Sequence, residues 1–185
     1  MTLGDLWKAL ATAGFTQPAL SAAADRAVVS GIACDSRSVR PGQVFVAVKG
    51  RKADGTTFAA EAIARGAVAV VAGEAAPPGV GVPWLVVPDP RLALALSASA
   101  FFSHPSADLQ VVGITGTNGK TTVAHLVASI FEAANVRCGI LGTVGYRVGR
   151  ETRTATHTTP EAPDVQALLR EMADHGLGAC AIEVS

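Results

Sequence analysis

The sequence predicts an α/β protein in two parts: a small N-terminal α/β domain over residues 1–107, then the first part of a phosphate-loop domain on a parallel sheet over 108–185. Three observations carry this reading. Short apolar runs alternate with amphipathic helical stretches along the chain. A Gly-Lys-Thr turn at 119–121 joins one such run to one such helix. A polar segment with a proline, residues 103–108, separates two well-patterned regions. With 49% hydrophobic residues in 185, each part has enough apolar side chains for a core.

In order along the chain, Leu3, Leu6, Trp7 and Leu10 recur at helical spacing and predict an opening helix closed by Gly14. Residues 28–33 and 44–48 read as strands, with Pro41-Gly42 as the turn between them. Asp54-Gly55 breaks the chain again, and Phe58, Ala59, Ala62 and Ile63 place one apolar face on a helix ending at Gly66. The continuous apolar runs at 67–72 and 84–87 have the pattern of strands buried on both faces. Asp89-Pro90 then opens a helix to about Phe102, with the carboxylate as N-cap and proline at the first helical position.

Beyond the polar segment, 109–114 reads as a strand and 121–134 as a helix whose apolar face is Leu126, Val127, Ile130 and Phe131. A strand follows at 138–141, a helix is marked by Val165, Leu168, Leu169 and Met172, and 179–184 forms a last strand. The alternation implies a parallel sheet with crossover helices. The last strand is expected at an exposed sheet edge.

Composition excludes several classes. Fifteen basic residues balance fifteen acidic ones, so the chain lacks the basic footprint of a general nucleic-acid binder. Its apolar content excludes a disordered polyelectrolyte. Cys34, Cys138 and Cys180 stand far apart without a C-x-x-C pair, against a disulfide framework or zinc knuckle. His104, His125, His157 and His175 share no metal-ligand spacing and read as surface residues. The apolar run at 92–102 is shorter than the ~20 residues a membrane span needs, so a soluble cytoplasmic chain is expected.

The chemistry concentrates in Gly113-Ile-Thr-Gly-Thr-Asn-Gly-Lys-Thr-Thr122, between a strand and an amphipathic helix. Glycines there let backbone N–H groups approach phosphate oxygens, the helix N-terminus faces the anion, and Lys120 adds a point charge. Thr121 is placed to hold the magnesium that accompanies a nucleotide. The strict G-x-x-x-x-G-K-[ST] pattern wants glycine where this chain has Ile114, and Gly116 falls inside the loop instead. A second candidate is Glu183, at the C-terminal end of the last strand, where ligand sites of open parallel sheets lie. On its own such a carboxylate reads equally well as a solvated strand end.

The segment 115–122, together with Gly142-Thr-Val-Gly145, His157-Thr-Thr-Pro-Glu-Ala162 and Glu183-Val-Ser185, resembles the Mur ligases. Upstream, Asp35-Ser-Arg37, Pro41-Gly42, Phe45-Val-Ala-Val-Lys-Gly50 and Ala53-Asp-Gly55 resemble the N-terminal domain of the branch that adds the third amino acid to UDP-N-acetylmuramoyl-L-alanyl-D-glutamate in peptidoglycan synthesis. The resemblance implies an ATP- and Mg2+-dependent amide ligase. ATP would phosphorylate the D-glutamate carboxylate, and the amine of diaminopimelate or lysine would attack the acyl phosphate.

Carried over by residue, the resemblance has Thr115, Gly116, Thr117, Asn118, Gly119, Lys120 and Thr121 cradling ATP, with Lys120 and Glu183 catalytic and Thr121 and Glu183 attending magnesium. Thr158, Thr159 and Ser185 would contact the muramoyl-peptide, as would His157, where many relatives have asparagine. Cys34, Ser36, Arg51, Lys52 and Ala53 would hold the uridine diphosphate end. Read from the residues alone, Ser36 and Arg37 form a polar loop.

In the family, adenine contacts, a carbamylated lysine at a second magnesium and a domain for the incoming amino acid follow the strand bearing Glu183. The chain is therefore expected to be an N-terminal fragment, without ligase activity by itself, of an enzyme that is a monomer. Two alternatives stay open: the Mur ligase that adds D-alanyl-D-alanine, and a non-catalytic nucleotide-binding module.

Overall fold

The computed structural model describes residues 1–16, 19–50, 54–155 and 157–185, which form two compact units, Met1–Phe101 and Phe102–Ser185. In the first unit, α1 (Leu3–Thr12) begins with a capping box: Asp5 N–H donates to Thr2 Oγ1 at 3.1 Å, and Thr2 N–H donates to Asp5 Oδ2 at 3.0 Å. Its Leu3, Leu6, Trp7 and Leu10 are buried. A single turn, α2 (Ala22–Asp25), precedes β1 (Gly31–Ala33) and β2 (Gln43–Ala47). Next come α3 (Ala59–Ala64), β3 (Ala69–Ala72), β4 (Trp84–Val86) and α4 (Pro90–Phe101). Asp89 caps α4 as its sequence suggests, accepting from Leu92 N–H at 3.0 Å.

The four strands pair in parallel in the order β1-β2-β3-β4. Alternation divides them between two faces. Phe45, Ala47, Val70 and Ala72 pack with Ala59 and Ala62 of α3. The other face, with Val44, Val46, Ala69 and Val71 buried, lies under α4, against which α1 packs. Coverage of both faces explains the unbroken apolar runs.

The second unit comprises β5 (Gln110–Ile114), α5 (Lys120–Ala133), β6 (Cys138–Leu141), β7 (Tyr146–Val148), β8 (Glu151–Arg153), α6 (Ala162–Asp174) and β9 (Ala179–Glu183). Its sheet runs β5-β9-β6-β7-β8. β9 pairs in parallel with β5 on one side and β6 on the other, whereas β6-β7 and β7-β8 are antiparallel. Ala179 and Ala181 of β9 face α5, and Cys180 and Ile182 face α6.

Three expectations need correction. The second sheet is mixed rather than wholly parallel, because a hairpin extends it past β6; Gly149, at φ +60°, opens the hairpin's two-residue turn. The last strand is not at an edge: β9 inserts between β5 and β6, so the edges are β5, where Val111 is exposed, and β8. Finally, α5 packs through Ala124 and Ala128, flanked by Val127 and Phe131, while Leu126 and Ile130 are 58% and 68% exposed. The small alanines let the helix approach the sheet closely, and this displaces the larger apolar stripe toward solvent.

Burial sets the chemistry of the thiols. Cys180 is inaccessible and desolvation pushes it up to about 12, and burial raises Cys138 as well, whereas Cys34 is half-buried. Only the thiolate alkylates. At pH 8 the folded protein is therefore expected to incorporate iodoacetamide at Cys34 and to protect Cys138 and Cys180 until denaturant is added. Rapid labelling of Cys180 in the folded state, read by peptide mass spectrometry, would contradict the packing of β9.

Candidate active site

The loop from β5 to α5 turns through two glycines into the start of a helix. Gly116 and Gly119 lie at φ +150° and +79°, and Gly119 is the N-cap of a helix of 14 residues. Among the described residues, the N–H groups of Gly116, Thr117, Asn118 and Gly119 donate to no protein acceptor, which leaves them open to an anion at the positive end of α5. Thr115 through Gly119 are exposed, and Lys120 Nζ is held over the turn, donating to Gly116 O at 2.7 Å. Ile114, at the position where the strict motif has glycine, is instead a buried core residue at the end of β5.

Glu183 is the last residue of β9. By alternation along β9 it faces the same side as Ala179 and Ala181, toward the head of α5, and it is only 1% exposed. Oε1 accepts from Thr143 N–H at 3.2 Å and Oε2 from Thr143 Oγ1 at 3.1 Å. The side chain fits because residue 142 is glycine: a Cβ there would collide with Glu183 Oε1. Thr121, His125, Gly142 and Glu183 line one cavity of about 60 Å³, so Thr121 and Glu183, 62 positions apart in sequence, face the same small space.

The segment after the hairpin is fastened to the same sheet end. Thr158 Oγ1 lies 3.1 Å from Thr143 Oγ1. Thr159 Oγ1 donates to Glu183 O at 2.8 Å, accepts from Ser185 N–H at 3.1 Å and lies 3.1 Å from Ser185 Oγ. His157 is held through its backbone, its carbonyl accepting from Tyr146 Oη at 2.7 Å, with the ring exposed.

In the first unit, Cys34 and Ser36 follow β1, where Asp35 caps a short 3-10 turn, Ser36–Ser38. Arg37 is turned back on Asp35 in a bidentate pair at 2.9 and 2.7 Å, which holds the Asp35 carboxyl below its ordinary range. Ser36 is buried and donates its hydroxyl to Glu61 Oε2 at 2.7 Å, lowering Glu61 in turn. A hydroxyl has one proton, so Ser36 Oγ is left as an acceptor toward any ligand. Arg51, Lys52 and Ala53 lie outside the described residues. They are bracketed by a bridge between Lys49 and Asp54, and Asp54 accepts from Thr56 N–H at 2.9 Å.

Residues 28–116 match the family described as "Mur ligase family, catalytic domain", and residues 114–185 match "Mur ligase middle domain". The chain belongs to the Mur ligase family. A Mur ligase of Chlorobaculum tepidum named UDP-N-acetylmuramoyl-L-alanyl-D-glutamate--2,6-diaminopimelate ligase is 48% identical over 161 residues, 86% of this chain and 32% of that protein. A solved structure of a ligase with that name superposes with a TM-score of 0.73 at 30% identity, covering 92% of this chain and 36% of the other. The MurF ligase from Thermotoga maritima, solved in complex with ADP, gives 0.53 at 25% identity over 83% of this chain and 31% of the other. The chain spans about a third of the length of the curated relatives it matches.

Within this Mur ligase segment the geometry brings Thr121 next to Glu183, and Thr158, Thr159 and Ser185 to the end of β9. Cys34 and Ser36 belong to the other unit. One residue beside Glu183 escaped sequence reasoning as an individual, Thr143, whereas His125, read as a surface residue, is exposed and also lines the cavity. The available signal for Thr143 was its place just after β6, at the same C-terminal sheet edge as Glu183. Among the described residues no three His, Cys, Asp or Glu side chains converge as a metal cluster, and no helix is long and apolar enough to cross a membrane.

Proposed function

We propose that this chain carries the UDP-muramoyl-peptide-binding and phosphate-binding parts of an ATP-dependent amide ligase that adds 2,6-diaminopimelate to UDP-N-acetylmuramoyl-L-alanyl-D-glutamate. The observation that carries the reading is the one small cavity lined by both Thr121 at the head of α5 and Glu183 at the end of β9, next to loop amides that have no protein acceptor among the described residues. The names of the relatives favour diaminopimelate over lysine.

In this reading the amides of residues 115–121 and the Lys120 ammonium hold and neutralise the terminal phosphates, which is most of what phosphoryl transfer asks of a protein. The Thr121 hydroxyl and the Glu183 carboxylate are oxygen donors of the kind magnesium prefers, and they reach one cavity. When bound, magnesium supplies positive charge to the phosphate oxygens. Thr158, Thr159 and Ser185 orient the D-glutamyl end toward the loop, and His157 lines the same approach. Cys34, Ser36, Arg51, Lys52 and Ala53 take the uridine diphosphate end; there Ser36 Oγ, its proton given to Glu61, accepts from a ligand donor such as the uracil N–H.

Calorimetry tests this directly. ADP is expected to bind more tightly with Mg2+ than without it, and UDP-N-acetylmuramoyl-L-alanyl-D-glutamate more tightly than UDP-N-acetylglucosamine. Binding of ADP without any preference for the muramoyl-dipeptide would favour a nucleotide-binding module instead. Glu183→Gln is expected to keep Mg2+-free ADP binding and to lose the gain that Mg2+ brings. An undiminished gain would remove Glu183 from the metal site.

A further inference from the structure

We propose that Thr143 is a positioning residue that aims the Glu183 carboxylate at the metal and ties it to the substrate-side segment through Thr158; this rests on the metal role given above to Glu183. Thr143 touches both carboxylate oxygens, one through its N–H and one through its hydroxyl, at 3.2 and 3.1 Å. A glutamate has several freely turning torsions, and holding it in one arrangement costs conformational entropy. Here two donors on one residue and the bare Cα of Gly142 confine it to one arrangement. A carboxylate offers about four lone-pair sites, so the two bonds to Thr143 leave the outward pair for a cation.

The hydroxyl also orders a chain of donors. Thr143 Oγ1 lies 3.1 Å from both Glu183 Oε2 and Thr158 Oγ1, yet it has a single proton. An ionised carboxylate can only accept, so Thr143 gives its proton to Glu183, and Thr158 gives its own to Thr143. Thr159 meanwhile donates to the backbone carbonyl of the same glutamate. The segment proposed to meet the muramoyl-peptide and the carboxylate proposed to meet magnesium are thus two ends of one hydrogen-bonded unit, with Thr143 in its middle. Thr143 itself is an exposed residue beyond the end of β6, outside both core clusters of its unit, so its hydroxyl has no packing role that would account for the arrangement.

The test measures ADP affinity of the 185-residue protein as a function of Mg2+ for wild type, Thr143→Val and Thr143→Ser. Valine keeps the shape and the N–H contact and removes the hydroxyl; serine restores the hydroxyl. Thr143→Val is expected to need about tenfold more Mg2+ for the same gain in ADP affinity, the scale of one hydrogen bond to a charged group, with Mg2+-free affinity and circular dichroism unchanged. Thr143→Ser is expected to stay within about twofold of wild type. An unaltered Mg2+ requirement in Thr143→Val overturns the inference, as does a serine variant impaired as much as the valine one. A wild-type protein that binds ADP with no response to Mg2+ overturns the metal reading itself and this inference with it.

Discussion

Lys120→Ala is expected to weaken ADP binding by roughly 10- to 150-fold, the span of about 1.5–3 kcal/mol assigned to hydrogen bonds involving a charged group. Among the described residues the Lys120 ammonium has a single partner, the Gly116 carbonyl, at the exposed lip of the loop, so its removal breaks no core contact. Alanine is also a better helix former than lysine at the first position of α5, and the fold should be unaffected. The loss is therefore read as a change in affinity at constant circular dichroism and constant melting temperature. If the proposed ligase activity holds, the same substitution in an active enzyme would also remove a positive charge from the transferring phosphoryl group, and turnover should fall further than affinity. ADP affinity within about threefold of wild type would show that residues 115–121 do not hold phosphate.

Gly55→Ala is expected to be the most destabilising single-methyl change in the first unit. A Cβ at this position would meet Val48 O at 2.6 Å and Ala47 C and Val48 N at 2.8 Å, all of them backbone atoms at the end of β2. A clash with a flexible side chain can be relieved by a rotamer change, but backbone paired in the sheet must move as a whole. Ala47 is paired with Ala72 of β3, so relief has to strain a parallel ladder in the centre of the sheet. Overpacking of this kind costs about 1–3 kcal/mol and sometimes more. For a unit of this size each 1 kcal/mol lowers the melting temperature by roughly 4–8 °C. Hydrogen exchange should show the loss at the amides of β2 and β3 while β5, β6 and β9 keep their protection. Uniform protection across the first unit would mean that the loop moves away from β2 at little cost.

Much of the architecture is legible in residue order because its causes are local. Helix α1 follows from the spacing of Leu3, Leu6, Trp7 and Leu10 behind a Thr2–Asp5 capping box, and α4 starts where Asp89 and Pro90 start it. The loop at 115–120 is also a local object, since glycine conformations, the helix start and a lysine make an anion site within a few residues of each other. Helix α5 shows the limit. Its sequence stripe of Leu126, Val127, Ile130 and Phe131 does not say which flank meets the sheet, and close approach through Ala124 and Ala128 decides it. The hairpin β7-β8 is carried by three-residue strands, too short for a period of two to stand out from its surroundings.

By itself the sequence determined the alternation of helices and strands, the burial of strands on two faces, and a glycine turn leading into a helix headed by Lys120 at 115–121, since each depends on residues that are neighbours along the chain. Strand order depends on hydrogen bonds between residues far apart in sequence, and only the tertiary structure decided that β9 lies between β5 and β6. That insertion is also what buries Glu183. At a sheet edge it would be a solvated carboxylate. Between two strands, on the face that carries α5 and with Thr143 donating to both oxygens, it becomes a buried, aimed one within reach of the cavity that Thr121 lines.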